Sequence, residues 1–154
     1  MMMTNQKEQS LLKDMKNEEK ICVEKYTRYA QMAADPQLQT LLQQIAKTEQ
    51  GHLQTLTQME SGKVPSMSGA SGGSSLPTSF TAAYGMGESD EKKQDGFLCN
   101  DLLATEKHAS SLYNTCIFEF RDPAARQTLN HIQKEEQEHG KALYDYMTAN
   151  GMYS

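Results

Sequence analysis

An ungapped internal repeat constrains this chain more than any other feature. Residues 11–60 and 98–147, offset by 87, share 14 identities in 50 positions. The pairs include Glu19/Glu106, Lys20/Lys107, Tyr26/Tyr113, Ile45/Ile132, Glu49/Glu136 and His52/His139. Helical sequences resemble one another through shared Leu, Glu and Lys, but matched Tyr, His and Asp-Pro at one offset are not explained that way. Each half is broken once, at Asp35-Pro36 and at Asp122-Pro123. An Asp followed by Pro starts a helix, because the carboxylate accepts an orphan N–H and Pro lacks one at a position that has no use for it. The flanking segments are rich in Leu, Gln, Lys and Glu and carry no interior Pro. The sequence therefore predicts helices over roughly 8–33, 36–60, 95–120 and 123–148. The fold class is all-α, a repeated helical hairpin.

Between the halves the composition changes to SGKVPSMSGASGGSSLPTS over Ser61–Ser79, which suits neither helix nor strand. The chain of 154 residues then divides into a first hairpin (1–60), a Gly/Ser-rich linker (61–94) and a second hairpin (95–154) within one domain. Phe80–Met86 could form a short apolar plug before the charged run Glu88–Lys93. A net charge of −5 with scattered Lys and Arg argues against a nucleic-acid surface. No apolar run reaches the roughly 18 residues a membrane span needs, and no h-region of about 7–15 residues follows the polar start, so no secretory signal is expected. Cys22, Cys99 and Cys116 lie far apart and form no C-x-x-C pair. This excludes a zinc ribbon and fits a reducing interior.

The helices carry seams with 3-4 spacing, the pattern that faces neighbours in a bundle. These are Leu12, Met15, Glu19, Cys22, Tyr26, Tyr29 and Ala33; Leu38, Leu42, Ile45, Glu49, His52, Leu56 and Met59; Cys99, Leu102, Glu106, Ala109, Tyr113, Cys116 and Phe120; and Ala125, Leu129, Ile132, Glu136, His139, Leu143 and Tyr146. Of these 28 positions, 22 are apolar or aromatic, in a chain that is 37% hydrophobic. The other six are Glu19, Glu49, His52, Glu106, Glu136 and His139, with no cationic side chain among them. A carboxylate buried on such a seam costs several kcal/mol unless paired or neutralised.

Metal resolves the conflict. Four carboxylates and two neutral imidazoles balance two divalent ions, and each Glu-x-x-His pair (i, i+3) projects from one helix face. One Glu from each of two helices and Glu-x-x-His from each of the other two is the ligand set of ferritin-like dinuclear carboxylate proteins. In that reading Glu49 and Glu136 bridge, and Glu19 and Glu106 are terminal ligands. The alternatives are a pocket of protonated carboxyls, a site that has lost its metal, or a register one residue off that turns these groups to water. Tyr26 and Tyr113, one heptad beyond Glu19 and Glu106, are either hydrogen-bond donors or electron relays at the site, or core tyrosines whose hydroxyls find partners. Cys22, one turn from Glu19, could approach the site or be an inert buried thiol. His108 and His131 read as surface residues. Helix three carries extra apolar residues, Leu98, Leu103, Leu112, Ile117 and Phe118, which call for cover by the Phe80–Met86 segment or by a second subunit. A linker of about 35 residues can travel the roughly 37 Å of a 25-residue helix, permitting the long crossover between helices two and three of a ferritin-like four-helix bundle.

The pattern Glu19…Tyr26…Glu49-x-x-His52, repeated as Glu106…Tyr113…Glu136-x-x-His139, resembles the ferritin-like superfamily and most of all rubrerythrins. The second half resembles the Coat F family of endospore coat proteins through NDLLATEKHASSLYN, Asp122-Pro123…Arg126, EEQEHGKALYDYM and a closing Gly151-Met152-Tyr153; that family tends to end Gly-Trp-Tyr. The rubrerythrin resemblance implies peroxide reduction at a non-haem di-iron site held by Glu19, Glu49, His52, Glu106, Glu136 and His139. The chain lacks rubredoxin-like cysteine knuckles, so an electron donor would be external, and no seventh carboxylate stands on the seam. The Coat F resemblance implies a coat component made in the mother cell, located in its cytoplasm and then in the spore coat. Together they give a coat-type protein with two Fe or Mn ions (zinc can occupy such a site in a purified sample), acting on O2 or peroxide as an oxidoreductase of peroxidase, oxidase or catalase type. A homodimer or other coat proteins are the expected partners. The alternatives are a purely structural coat protein with a structural or relict metal site, and a small iron-storage ferritin.

Overall fold

The computed structural model describes residue 2, residues 4–65 and residues 76–153. Among them are four helices and no strand: α1 (Gln6–Met32), α2 (Pro36–Glu60), α3 (Asp90–Glu119) and α4 (Pro123–Ala149). Much of the Gly/Ser-rich stretch, residues 66–75, lies outside the described residues. No helix is long and apolar enough to cross a membrane.

Local chemistry sets the helix starts. Asp35 and Asp122 cap α2 and α4, accepting from the N–H of Gln37 and Ala125, with Pro in the first turn of each. Asn5 and Glu8 form a capping box on α1, each side chain accepting from the other's backbone N–H. α3 begins five residues before the expected start, so the charged run Glu88–Lys93 belongs largely to its first turn rather than to the linker. Ser89 accepts from the N–H of Lys92, and Asp90 and Glu91 complement the positive end of the helix dipole.

Contacts between the hairpins fix the helix directions. Lys7 pairs with Glu119, Tyr26 with Glu106, and Ala34 with Asp95, so numbers rise along α1 as they fall along α3. α2 and α4 are antiparallel in the same way, with His52 against Glu135 and Asp35 against Tyr146. Consequently α2 and α3 run in the same direction. α2 ends beside the start of α1, where the Met2 N–H donates to the Gly62 carbonyl at 2.9 Å, whereas α3 starts beside the end of α1.

Of the 28 seam positions, 27 are buried. The exception is Tyr29, half-buried, whose hydroxyl donates to Asp101 at 2.8 Å while Ala30 takes the inward place. A straight helix drifts from a strict heptad, and the seam of α1 steps four residues from Tyr26 instead of three. The apolar residues form two clusters. One contains Tyr26, Leu38, Leu42, Leu98, Leu143 and Tyr146; the other contains Leu12, Met15, Leu56, Tyr113, Phe120 and Leu129.

The apolar plug differs from expectation. Leu76 and Phe80 pack on the first cluster, Phe80 edge-on to Tyr146 at 5.7 Å, but Met86 is fully exposed. Of the extra apolar residues of α3, Leu98 and Leu103 are buried within the chain, Leu112 and Ile117 pack on the second cluster, and Phe118 is 78% exposed. The plug segment is tied down through Tyr84 by Asp95, which is wholly buried. Asp95 accepts from the backbone N–H groups of Ala34 (2.9 Å) and Asp35 (3.0 Å) and from the Tyr84 hydroxyl (2.6 Å). The three cysteines are buried and unpaired. Burial pushes the Cys116 thiol up to about 12, and burial with the nearby carboxylates raises Cys22 as well.

Candidate metal centre

Between the two apolar clusters lies a layer of ionisable groups. Glu19 comes from α1, Glu49 and His52 from α2, Glu106 from α3, and Glu136 and His139 from α4. None is more than 4% exposed. The i, i+3 spacing brings each Glu-x-x-His pair together: His52 Nδ1 lies 3.3 Å from Glu49 Oε1, and His139 Nδ1 lies 3.9 Å from Glu136 Oε2. The pairs also meet across the bundle. His139 Nδ1 is 3.1 Å from both Glu49 Oε1 and Glu106 Oε2, and His52 Nδ1 is 3.4 Å from Glu136 Oε1 and 3.7 Å from Glu19 Oε1. The two imidazoles are stacked at 6.1 Å.

The six groups fall into two overlapping sets, Glu19, Glu49, His52 and Glu136, and Glu49, Glu106, Glu136 and His139. Within each set, one ligand atom per residue lies within 4.8 Å of the others. Glu49 and Glu136 belong to both, and each remaining Glu sits with the His of its own hairpin. A register turned to water is thereby ruled out.

Several atoms of these groups lack protein partners. Seven buried side-chain atoms of the layer have no hydrogen-bond partner: both oxygens of Glu49 and of Glu136, one oxygen each of Glu19 and Glu106, and His52 Nδ1. A buried polar atom left unmade costs about 1–3 kcal/mol, so seven converging on one place indicate a missing ligand. The donor set, carboxylate oxygen with imidazole nitrogen, suits Fe, Mn or Zn. The clusters can hold a metal ion.

The electrostatics show the strain of the metal-free arrangement. Burial, with the charge of Glu49 nearby, holds the Glu19 carboxyl well above the usual range. Burial and Glu106 do the same to Glu136, and Glu106 is raised chiefly by burial. Glu49 goes the other way: burial opposes its ionisation, but the imidazoles of His139 and His52, 3.1 and 3.3 Å away, overcome that and hold it low. His52, although buried, is raised by the carboxylates that surround it, Glu135 foremost. The carboxylates thus compete for too few positive charges.

Both predicted tyrosines meet the layer, each from the opposite hairpin. Tyr26 on α1 donates to Glu106 on α3 at 2.9 Å, and Tyr113 on α3 donates to Glu19 on α1 at 2.6 Å. Burial and the carboxylates raise both phenols well above their ordinary value, so they keep their protons. Replacing Tyr113 by Phe leaves a second Glu19 oxygen without a donor, and urea unfolding should show a loss of about 1–3 kcal/mol.

One member of the site escaped the sequence. Glu135, just off the seam of α4, accepts from His52 Nε2 at 2.8 Å and lies 3.3 Å from His131 Nε2. His131, expected at the surface, is indeed partly exposed but belongs to this chain of contacts. At the equivalent place in the first half stands Thr48, whose hydroxyl turns to its own helix at the Gln44 carbonyl. The acidic doublet Glu135-Glu136 against Thr48-Glu49 was the available signal.

Comparisons with known proteins find similarity over part of the chain. Over 55 residues the chain is 38% identical to YusN, an uncharacterized protein of Bacillus subtilis (strain 168). That match covers 36% of this chain, which spans half the length of the relative. No solved structure matches the chain. A family model, the Coat F domain, matches residues 94–154. The stretch 94–154, which holds nearly all of the hairpin of α3 and α4, is therefore similar to the Coat F domain, and it supplies Glu106, Glu136 and His139 to the buried cluster.

Proposed function

We propose that the chain is a spore-coat-type protein with a ferritin-like bundle that holds a dinuclear Fe or Mn centre and acts on O2 or peroxide. One observation carries the proposal: two buried donor sets share Glu49 and Glu136 and leave seven polar atoms without partners. The parallel course of α2 and α3 supports the long crossover of ferritin-like folds, with the hairpins related by a pseudo-twofold axis through the acidic layer. Glu49 and Glu136, common to both donor sets, would serve both ions, with Glu19 and His52 holding one and Glu106 and His139 the other. When bound, a pair of redox-active ions supplies electron exchange with the oxidant. Tyr113 and Tyr26 hold protons beside Glu19 and Glu106 and fix the orientation of those carboxyls. The apolar clusters on both sides exclude water from the layer. The Coat F match supports a place in the spore coat, after synthesis in the mother cell. Partners are a second copy or other coat proteins.

A second reading, a structural coat protein whose metal staples the bundle, draws on the way the hairpins meet. Tyr26–Glu106, Tyr113–Glu19 and His52–Glu135 join them at this layer, so an ion held here would lock one to the other.

The test is metal content by mass spectrometry of protein purified without added metal, beside the double variant Glu49→Ala/Glu136→Ala. About two Fe or Mn per chain, lost in the variant, supports the centre; little metal in the parent sinks it. Peroxide consumption by the loaded protein then separates the redox reading from the structural one. Glu135→Ala should weaken metal affinity about 10–100-fold in a chelator competition, because a carboxylate that holds the far nitrogen of a ligating His fixes its tautomer and orientation. Unchanged affinity would show that Glu135 does no such work.

A further inference from the structure

One face of the bundle carries a groove lined in part by members of the buried layer. The groove, of about 520 Å³, runs between α3 and α4, and its lining includes Glu106 and Glu136. Its walls follow from helix spacing. Leu103, Glu106, Lys107, Ser110, Ser111 and Asn114 share one face of α3, and Gln133, Glu136, Gln137 and Gly140 share one face of α4. Gln133 braces the walls by donating to the Ser110 carbonyl at 3.0 Å. Larger still, a hollow of about 610 Å³ beside Asn5, Glu8 and Arg121 touches none of the six ionisable groups.

Two observations mark this groove as more than a surface feature. Glu106 (2% exposed) and Glu136 (1% exposed), whose oxygens include ones without a partner, belong to its lining. The internal repeat supplies the second. At the positions 87 residues earlier, Gly140 corresponds to Leu53 and Ser110 to Val23, both half-buried. At these two positions the second hairpin is smaller than the first, although at a third Gln133 stands in place of Ala46. The glycine is not forced by backbone strain. Gly140 lies mid-helix, and a Cβ there would meet only Leu103 Cδ1 at an ordinary 3.5 Å. Glycine is a poor helix former at such a place, so its presence calls for a reason other than folding.

We infer that the groove between α3 and α4 is the entrance through which a hydrated divalent cation reaches the acidic layer, kept open by Gly140 and Ser110. The inference rests on the metal-binding reading above. Hydroxyl and amide oxygens of Ser110, Ser111, Asn114, Gln133 and Gln137 can take the place of water around an incoming ion. The carboxylates of Glu106 and Glu136 then draw it inward, in surroundings where charge is weakly screened. None of the wall residues is a proposed ligand, so closing the entrance alters the approach and leaves the destination intact.

The experiment uses the full chain, stripped of metal, with Co²⁺ as the probe and its visible absorption in the protein as the readout. Gly140→Leu and the double variant Ser110→Val/Gly140→Leu give the second hairpin the side chains of the first. Circular dichroism and melting establish that they fold, and Gly140→Ala serves as a milder step. Expected are Co²⁺ uptake at least tenfold slower in the double variant, an intermediate rate in Gly140→Ala, and an unchanged final number of ions per chain. Leu53→Gly, on the other hairpin, should not slow uptake. Parental loading with equally fast uptake in the folded double variant overturns the entrance alone. A parent that takes up no Co²⁺ overturns the metal reading and the entrance with it.

Discussion

Loading the metal-free protein with Fe(II) or Mn(II) should raise its Tm by about 8–16 °C. The figure follows from mass action. An ion that binds only the folded chain, present at about 1,000 times its Kd, stabilises it by about 4 kcal/mol, and each kcal/mol moves the Tm of a chain of this size by about 2–4 °C. The structural reason is the unsatisfied layer. Without metal, burial drives Glu19, Glu106 and Glu136 to hold protons against their ordinary tendency, and seven buried atoms lack partners. Metal replaces those protons and satisfies the atoms in one step. The double variant Glu49→Ala/Glu136→Ala should show no metal-dependent rise. Its metal-free form should melt close to the metal-free parent, because removing two costly buried carboxyls offsets the cavities left behind. A parent with the same Tm in chelator and in metal would defeat the reading.

The sequence made much of this legible, for identifiable reasons. The Asp-Pro starts of α2 and α4 are local chemistry, so those helices begin at Pro36 and Pro123 as read. The six ionisable seam residues were visible because they break an apolar pattern that is otherwise nearly uniform. What stayed hidden depends on tertiary contacts. Glu135 looks like any surface acid until α2 brings His52 against it. Tyr29 follows the seam spacing yet swings outward to Asp101, because helical drift decides which neighbour faces in. Asp95 gave no sign of importance: it reads as the first residue of helix three beside a charged run, and its backbone partners Ala34 and Asp35 are 61 and 60 residues away. The groove on α3 and α4 was latent in the repeat, as Gly140 against Leu53, but a difference between repeats carries meaning only once both positions are known to flank the same layer.

Asp95 leads to the second large effect, a loss of about 3–5 kcal/mol on Asp95→Ala measured by urea unfolding. The side chain is wholly buried and accepts three hydrogen bonds, from the N–H groups of Ala34 and Asp35 at the turn between α1 and α2, and from the Tyr84 hydroxyl. Alanine leaves three donors without an acceptor in a place water does not reach freely, and each such donor costs about 1–3 kcal/mol. Against a total stability of about 5–15 kcal/mol for a domain this is a large fraction. Asp95→Asn, which keeps one carbonyl oxygen, should lose about half as much. Asp101→Ala serves as the control, since its bonds to Tyr29 and Lys25 lie in a partly exposed place and are worth about 1 kcal/mol or less. The amide protons of Ala34 and Asp35 should lose their exchange protection in Asp95→Ala and keep it in the control. Because Asp95 belongs to neither donor set, the variant should still bind the parental number of ions per chain at low temperature while melting about 10 °C lower. A stability change below about 1 kcal/mol would show that the loop finds other acceptors. A large loss of stability with metal content intact would show instead that the hairpins are held in register by two independent devices, an anchor at one end of the bundle and the ionisable layer at its middle.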